Sequence, residues 1–377
     1  MTKFIHTADW QIGMTRHFLT PEAQARFTAA RIDAIRSIVT LANERNCDFI
    51  LVCGDVFESN RLNRQVVVRA LDALATSSVP VYLLPGNHDS LEPGSVYVSP
   101  TFVDGMPERV HVIDSTAPIE VAENTEIIGA PWTSKRPLSD LVDQAIQDVE
   151  PIVDVIRIVA GHGIVDELSP DPDNPALISV VGLEQHIENG SIHYVALGDR
   201  HSRTAVGLEE RIYYSGAPEP TDYDETDPGK VLVVDIQDGS ISVEPVKVST
   251  WEFLDRQFDI TGNEDLNVLE SWLTDQPDKD RTIVRLAFVG TVNITEKARL
   301  DSIIESFTDL YAAIDTWERR TELAVLPNDE DFTELGLTGF AASALEELRV
   351  ESTGESEESA TSRDALALLF RLTGGAA

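Results

Sequence analysis

Cysteine is nearly absent from this chain: 377 residues carry two, Cys47 and Cys53. They flank the apolar run DFILV, are too few for a disulfide framework, and read as free, buried thiols. Lysine is scarce too. Only six of the 29 basic residues are lysine, against 65 acidic residues, for a formal net charge of −36. Phosphate contacts are made mainly by Lys and Arg, so this balance argues against a general nucleic-acid binder. It fits a highly soluble protein, including one adapted to high internal salt. Screening limits that inference, because at about 0.15 M salt the Debye length is only ~8 Å, and a local basic patch, a bound cation or a basic partner can dominate near a site. No apolar run approaches the roughly 18 to 20 residues that span a bilayer. The N-terminus, MTKFIHTADW, lacks the basic-then-apolar pattern of a signal peptide. A cytoplasmic protein with no membrane partner is the expectation.

The length exceeds one typical domain, and 42% hydrophobic residues can build a sizeable core. Five short apolar segments recur through the first 200 residues, each running into a polar loop: KFIHTADW, DFILVCGDVF, VPVYLLPGNHD, VIRIVAGHG and IHYVALGDRH. Helical patterns separate the early ones, such as EAQARFTAARIDAIRSIVTLANER, with apolar Phe27, Ala30, Ile35, Ile38, Val39 and Leu41. Near-continuous apolar strands alternating with helices predict an α/β fold whose sheet is covered on both faces. AENTEIIGAPW, RIYYSGAP and GKVLVVDIQDGSISVEPV look hairpin-like, the last with an Asp-Gly turn at 238–239. After residue 248 the order becomes strand, helix, strand, helix, strand, a βαβαβ unit. A helical stretch, TELGLTGFAASALEELR, a flexible acidic segment, ESTGESEESATSRD, and a short apolar helix, ALALLFRL, follow. The domains expected are therefore 1–247, 248–328 and 329–377.

Loops at the carboxyl ends of strands in an α/β sheet converge on one crevice. Each of the five segments ends in a group that can bind a metal: Asp9, Asp55, Asn87 with His88, His162, and Asp199 with His201. Glycines stand beside most of them, at 54, 86, 161 and 198. A single Gly-Asp or Gly-His is usually only a turn; five in order at strand ends form a pattern.

That order, with PGNHDS as its most specific piece, resembles the calcineurin-like metallophosphoesterase superfamily. HTADW at the start, GDVFESNR, and the βαβαβ unit after the first domain resemble its SbcD-type DNA double-strand-break repair nucleases. The resemblance implies a β-sandwich flanked by helices, a small βαβαβ cap that binds DNA, and a helical tail. It implies one divalent cation on Asp9, Gln11, Asp55 and His201, and a second on Asp55, Asn87, His162 and Asp199, with Asp55 bridging. Two such ions clamp the attacking and leaving oxygens of a phosphoryl displacement. His88 would stand beside the phosphate as transition-state stabiliser or general acid, with Asp55 and Asp89 completing the catalytic group. The implied partners are DNA and an SbcC-like coiled-coil ATPase docked on the apolar tail helix, with a homodimer as a further option.

Two positions depart from the family pattern: Gln11 and Asp199 stand where it has histidine. Both keep an oxygen that can coordinate a hard cation, which shifts the site toward oxygen donors and favours Mn²⁺, then Mg²⁺, over Zn²⁺. Neutral Gln11 should weaken its own side. Around these loops Arg16, His17, Arg61, Arg64, Arg200 and Arg203 are candidate phosphate contacts, or surface cations paired with the abundant carboxylates. Glu58 is a candidate for supporting a ligand. Residues 218–229, PEPTDYDETDPG, read as an acidic solvent loop. The leading expectation is a Mn²⁺-dependent exonuclease or endonuclease subunit acting on DNA ends. A phosphodiesterase for a small nucleotide or phosphoester, and a scaffold without catalysis, are the alternatives.

Overall fold

The computed structural model describes all residues except 209, 238, 327–337, 353–355, 357–358, 360, 363–364 and 367–377. Its contacts divide the chain into two compact units, Met1–His17 with Gln24–Glu252, and Phe18–Ala23 with Phe253–Ala377.

The first unit contains two six-stranded sheets. One is built from β1 (Thr2–Thr7), β2 (Phe49–Cys53), β3 (Val81–Leu84), β4 (Val110–Val112), β11 (Lys230–Gln237) and β12 (Ser240–Lys247), in the order β12-β11-β1-β2-β3-β4. The other is built from β5 (Ile119–Ala122), β6 (Thr125–Gly129), β7 (Ile156–His162), β8 (Tyr194–Gly198), β9 (Thr204–Val206) and β10 (Ile212–Tyr214), in the order β5-β6-β7-β8-β10-β9. In the first sheet β1 to β4 pair in parallel and β11 and β12 add an antiparallel edge; in the second β6, β7, β8 and β10 pair in parallel and both edge strands, β5 and β9, are antiparallel.

Alternation along each strand explains the layering. Phe49, Leu51 and Cys53 of β2 join Ile158, Ala160, Tyr194 and Ala196 of the other sheet in one core between the sheets. Ile50 and Val52 turn the other way, onto the apolar stripes of α1 (Pro21–Glu44) and α2 (Arg64–Leu74). Val159, Val195 and Leu197 face α4 (Leu141–Ile146) and α5 (Val180–Glu188) on the far side; α3 (Pro100–Gly105) follows the third motif. Every apolar strand thus has two covered faces, which is why no amphipathic alternation shows in its sequence. His6 sits in the layer between the sheets, its Nδ1 3.1 Å from the Tyr194 hydroxyl and its Nε2 3.1 Å from the Leu197 carbonyl. Burial holds its pKa down to about 3, although the carbonyl contact opposes this, so it is neutral near pH 7 and joins the sheets.

The expected hairpins are only part of the pairing. β11 and β12 form one, with Gln237 opposite Ser240; residue 238 of its turn lies outside the described residues. β5 and β6 form another, but β6 and β10 also pair in parallel with β7 and β8.

In the second unit, β13 (Glu252–Ile260), α6 (Asn263–Asp275), β14 (Thr282–Asn293) and α7 (Ile294–Thr308) follow the expected order. The last stretch differs: AAIDTWERRTELAV makes two strands, β15 (Ala313–Thr316) and β16 (Glu322–Leu326). β14 is long enough for β15 to pair with 283–286 and β16 with 289–293. The turn between them is pinned by Trp317 N–H on the Leu286 carbonyl, 2.6 Å. Leu266, Leu269 and Leu273 of α6 bury against this sheet. A further helix, α8, covers Phe340–Glu351; most of the expected apolar helix ALALLFRL lies outside the described residues. Among the described residues no helix is long and apolar enough to cross a membrane.

Candidate metal centre

Five loops leave the carboxyl ends of β1, β2 and β3 in one sheet and of β7 and β8 in the other. They are laced together by main-chain bonds. Asp9 N–H donates to the Gly54 carbonyl (3.1 Å), Gln11 N–H to Asp55 O (3.0 Å) and Ile12 N–H to Val56 O (2.9 Å). Asp9, Gln11, Asp55 and Asp199 all have positive φ, at 54°, 49°, 51° and 95°. A non-glycine residue in that region costs on the order of 1–3 kcal/mol and persists only where its surroundings dictate it. Four such residues in one place turn their side chains inward. Two glycines make room: a Cβ on Gly86 would lie 2.3 Å from Asp55 Oδ1, and one on Gly198 1.8 Å from the Cys53 carbonyl.

Ligand atoms of Asp9, Asp55 and His162, all buried, lie within 4.8 Å of one another. His162 Nδ1 is 2.9 Å from the Cys53 carbonyl. That carbonyl can only accept, so Nδ1 carries hydrogen, and when the ring holds a single proton Nε2 presents its lone pair. Nε2 faces Asn87 Oδ1 at 2.8 Å, Asp55 Oδ1 at 3.4 Å and Asp199 Oδ1 at 3.7 Å. With the ring neutral these are four acceptor atoms without a donor, an arrangement that a cation, or a proton on Nε2, satisfies. With its amide turned over, Asn87 would instead donate to both Asp55 oxygens at 3.2 Å and to His162 Nε2 at 2.8 Å. The first orientation binds a cation; the second closes the site without one. On the other side, Gln11 Nε2 donates to Asp55 Oδ2 at 3.0 Å, while its Oε1 is buried with no hydrogen-bond partner. The donor set therefore fits hard divalent cations. Asp199 N–H reaches both Asp9 oxygens, at 3.1 and 3.2 Å, and His201 couples electrostatically to Asp9.

The electrostatics have the same shape. Burial pushes the Asp9 carboxyl up to about 7, against the pull of His201 and His162 and helped by Asp55 and Asp199. Burial also acts on Asp55 and His162. Their mutual attraction outweighs it, holding Asp55 below the carboxylate range and His162 well above the imidazole range. Protons thus do in part what a cation would do. A cation must displace the proton from Asp9, so affinity rises with pH through about 7. From Asp9 alone, Mn²⁺ should bind about tenfold more tightly at pH 8 than at pH 6. Calorimetry in buffers of different ionisation enthalpy checks this, counting the protons released.

The remaining candidates divide. His88 is 41% exposed, with Nε2 3.9 Å from Asp55 Oδ2 and Nδ1 2.8 Å from the Glu58 carbonyl. Asp89 is placed differently from the catalytic role expected of it. Its buried carboxylate accepts from Gly86 N–H (2.7 Å), Phe57 N–H (3.0 Å) and Tyr97 Oη–H (2.7 Å), and so sets the loop that carries Asn87 and His88. Arg16 donates to the Thr221 carbonyl, Arg200 to Thr204 Oγ1 and Arg203 to Asp227, so these three guanidinium groups already have partners in the protein. His17, Arg61 and Arg64 are exposed. Glu58 keeps one buried carboxylate oxygen without a hydrogen-bond partner, and its carboxyl is raised by burial against the pull of His88, Arg31 and Arg16.

Sequence reasoning missed Thr221, Glu225 and Arg31. The stretch read as a solvent loop contains buried Glu219 and Thr221. Thr221 Oγ1 and Glu225 Oε1 lie 2.7 and 3.1 Å from His201 Nδ1. The available signal was a threonine and a glutamate after the last histidine motif, hidden by the acidity around them.

Residues 2–201 match the family model described as calcineurin-like phosphoesterase, and the chain belongs to that family, whose members hydrolyse phosphoesters with metal ions. It is 25% identical over 357 residues to the "Uncharacterized metallophosphoesterase YhaO" of Bacillus subtilis (strain 168), over 89% of this chain and 84% of that protein. Among solved structures it resembles a dimetal phosphatase from Danio rerio at 13% identity, covering 66% of this chain and 96% of that one, TM-score 0.43. It also resembles the TT1561 protein of Thermus thermophilus at 10% identity, covering 65% and 98%, TM-score 0.40.

Proposed function

We propose that this metallophosphoesterase is a phosphodiesterase working with two divalent cations, Mn²⁺ before Mg²⁺. Its proposed substrate is the end of a DNA strand, processed with an SbcC-like coiled-coil ATPase. The observation that carries the reading is the meeting of acceptor atoms from both sheets around His162 Nε2, with a half-exposed His88 beside them. Asp9, Gln11, Asp55 and His201 would hold one cation, and Asp55, Asn87, His162 and Asp199 the other. When bound, such ions neutralise phosphoryl charge and make water a nucleophile near neutral pH. His88, its Nδ1–H committed to the Glu58 carbonyl, has Nε2 free to take or give a proton at the phosphoryl or leaving-group oxygen.

A strand of phosphates as substrate finds support in four cations. Arg61, Arg64, Lys135 and Arg136 are exposed, and among the described residues none of them pairs with a carboxylate. Their loops are tied to the centre. Asn60 Nδ2 donates to the Ser90 carbonyl (3.0 Å), Leu91 N–H to Trp132 O (2.8 Å), and Trp132 Nε1–H to the His162 carbonyl (2.7 Å).

Blunt, nicked and single-stranded DNA should be assayed beside bis-p-nitrophenyl phosphate, with Mn²⁺, Mg²⁺ or chelator, alone and with the ATPase. DNA cleavage that needs Mn²⁺ is the expected result. Turnover of the small ester alone would favour a small-substrate phosphodiesterase, and no turnover a scaffold. In the K135A/R136A double variant the salt dependence of single-strand binding should fall by roughly 1.4 in log–log slope, about 0.7 per lost phosphate contact. Its small-ester turnover should stay unchanged.

A further inference from the structure

We propose that Glu225, acting through Thr221, is a positioning residue that holds the His201 imidazole with Nε2 bare toward the cation it shares with Gln11. The inference rests on the two-cation reading above and adds to it a residue beyond the stretch that matches the family.

The proton inventory at His201 Nδ1 has one solution. Thr221 has a single hydroxyl hydrogen, and it goes to Glu225 Oε1. Glu225 as a carboxylate only accepts, and takes Thr221 N–H on both oxygens, at 3.1 and 3.0 Å. His201 Nδ1 faces the Thr221 hydroxyl oxygen at 2.7 Å and Glu225 Oε1 at 3.1 Å. With two acceptors before it and no donor to spare, Nδ1 must carry the hydrogen. When the ring holds a single proton, Nε2 is the unprotonated nitrogen, the one available to a metal. A histidine whose other nitrogen donates to a carboxylate is a fixed and more basic ligand.

The bracket is also held rigidly. The Arg31 guanidinium, 2% exposed, donates to the carbonyls of Glu219 (3.3 Å) and Pro220 (2.9 Å) and to that of Trp10 (3.4 Å). Arg16 donates to the Thr221 carbonyl. Glu219 turns its carboxylate the other way, onto Thr250 N–H and Oγ1–H and Trp251 N–H. Arg31 therefore joins the loop that bears Gln11 to the segment that sets His201. Gln11 is neutral, and the Glu225 charge behind His201 makes up on the same cation part of what the amide lacks.

The test uses the full chain and two readouts. Calorimetric Mn²⁺ titration of E225Q should show the weaker class of sites loosened about 10- to 100-fold, with the tighter class within twofold of wild type. Long-range ¹⁵N correlation spectra of metal-free protein, recorded at a pH where the ring holds a single proton, should show His201 as the Nδ1–H tautomer in wild type, and a mixture in E225Q and in T221V. The second variant serves where E225Q fails to fold. A merely structural Glu225 would weaken both classes of site alike and leave the tautomer unmoved, and that result overturns the inference. So does Mn²⁺ binding by E225Q indistinguishable from wild type. Wild-type protein that binds no Mn²⁺ overturns instead the two-cation reading on which the inference stands.

Discussion

Replacing His88 by alanine should lower kcat on bis-p-nitrophenyl phosphate by about 10²- to 10⁴-fold, the range for losing a positioned proton-transfer group. Mn²⁺ binding should barely change. The prediction follows from where the two ends of the residue point. Its main-chain N–H donates to Asp55 Oδ1 at 2.9 Å, a contact that alanine keeps. Its ring reaches only the Glu58 carbonyl at 2.8 Å and stands 3.9 Å from Asp55 Oδ2, longer than a hydrogen bond. The variant thus loses the one exposed imidazole of the centre while the buried ligand set stays intact. Stopped-assay kinetics beside calorimetry separate the two quantities. Equal losses in turnover and in Mn²⁺ affinity would make His88 a ligand and remove its proton-transfer role.

Asp89 shows why adjacent residues of one motif must be separated by geometry. In sequence, NHD offers three polar side chains in a row. In the fold the middle one faces out, while Asp89 is buried beneath the loop and receives three hydrogen bonds. The five strand-end loops were legible because apolar runs followed by Gly-Asp, Gly-Asn-His or Gly-His are local patterns, set within a few residues. The parallel strands were legible for the same reason, but as one sheet covered on both faces; their division into two six-stranded sheets followed only from the family resemblance. What the sequence concealed was of longer range. The positive φ of Asp9, Asp55 and Asp199 is imposed by the partner loops, since aspartate seldom adopts it unaided. Glu225 is one acid among many in PEPTDYDETDPG, and nothing nearby distinguishes it from its solvated neighbours. Its role depends on Arg31, 194 positions earlier, binding the carbonyls of Glu219 and Pro220. The split of the last strand of the second unit was hidden likewise, because the length of β14 decides how many short strands can pair along it.

Asp55→Asn should have the other large effect, loss of both cations and of activity together. Asp55 Oδ1 accepts His88 N–H at 2.9 Å and Oδ2 accepts Gln11 Nε2 at 3.0 Å, so each oxygen lies on a different side of the centre. An asparagine keeps the shape and one acceptor, but not the charge needed between two divalent ions. Its NH₂ would also meet the Gln11 Nε2 donor head-on. The loss is several kcal/mol, about 10³-fold or more in rate. A thermal readout is independent of turnover. Mn²⁺ at about 100 times its dissociation constant stabilises the wild-type fold by about 2.7 kcal/mol, worth about 5 to 11 °C in a unit of this size. The variant should show almost none of that shift, whatever its metal-free melting temperature. Comparing each protein with itself, with and without Mn²⁺, cancels any change the substitution makes to stability alone. A full Mn²⁺-induced shift in Asp55→Asn would mean that the cations sit elsewhere, and that the acceptors around His162 are closed by the turned Asn87 amide alone.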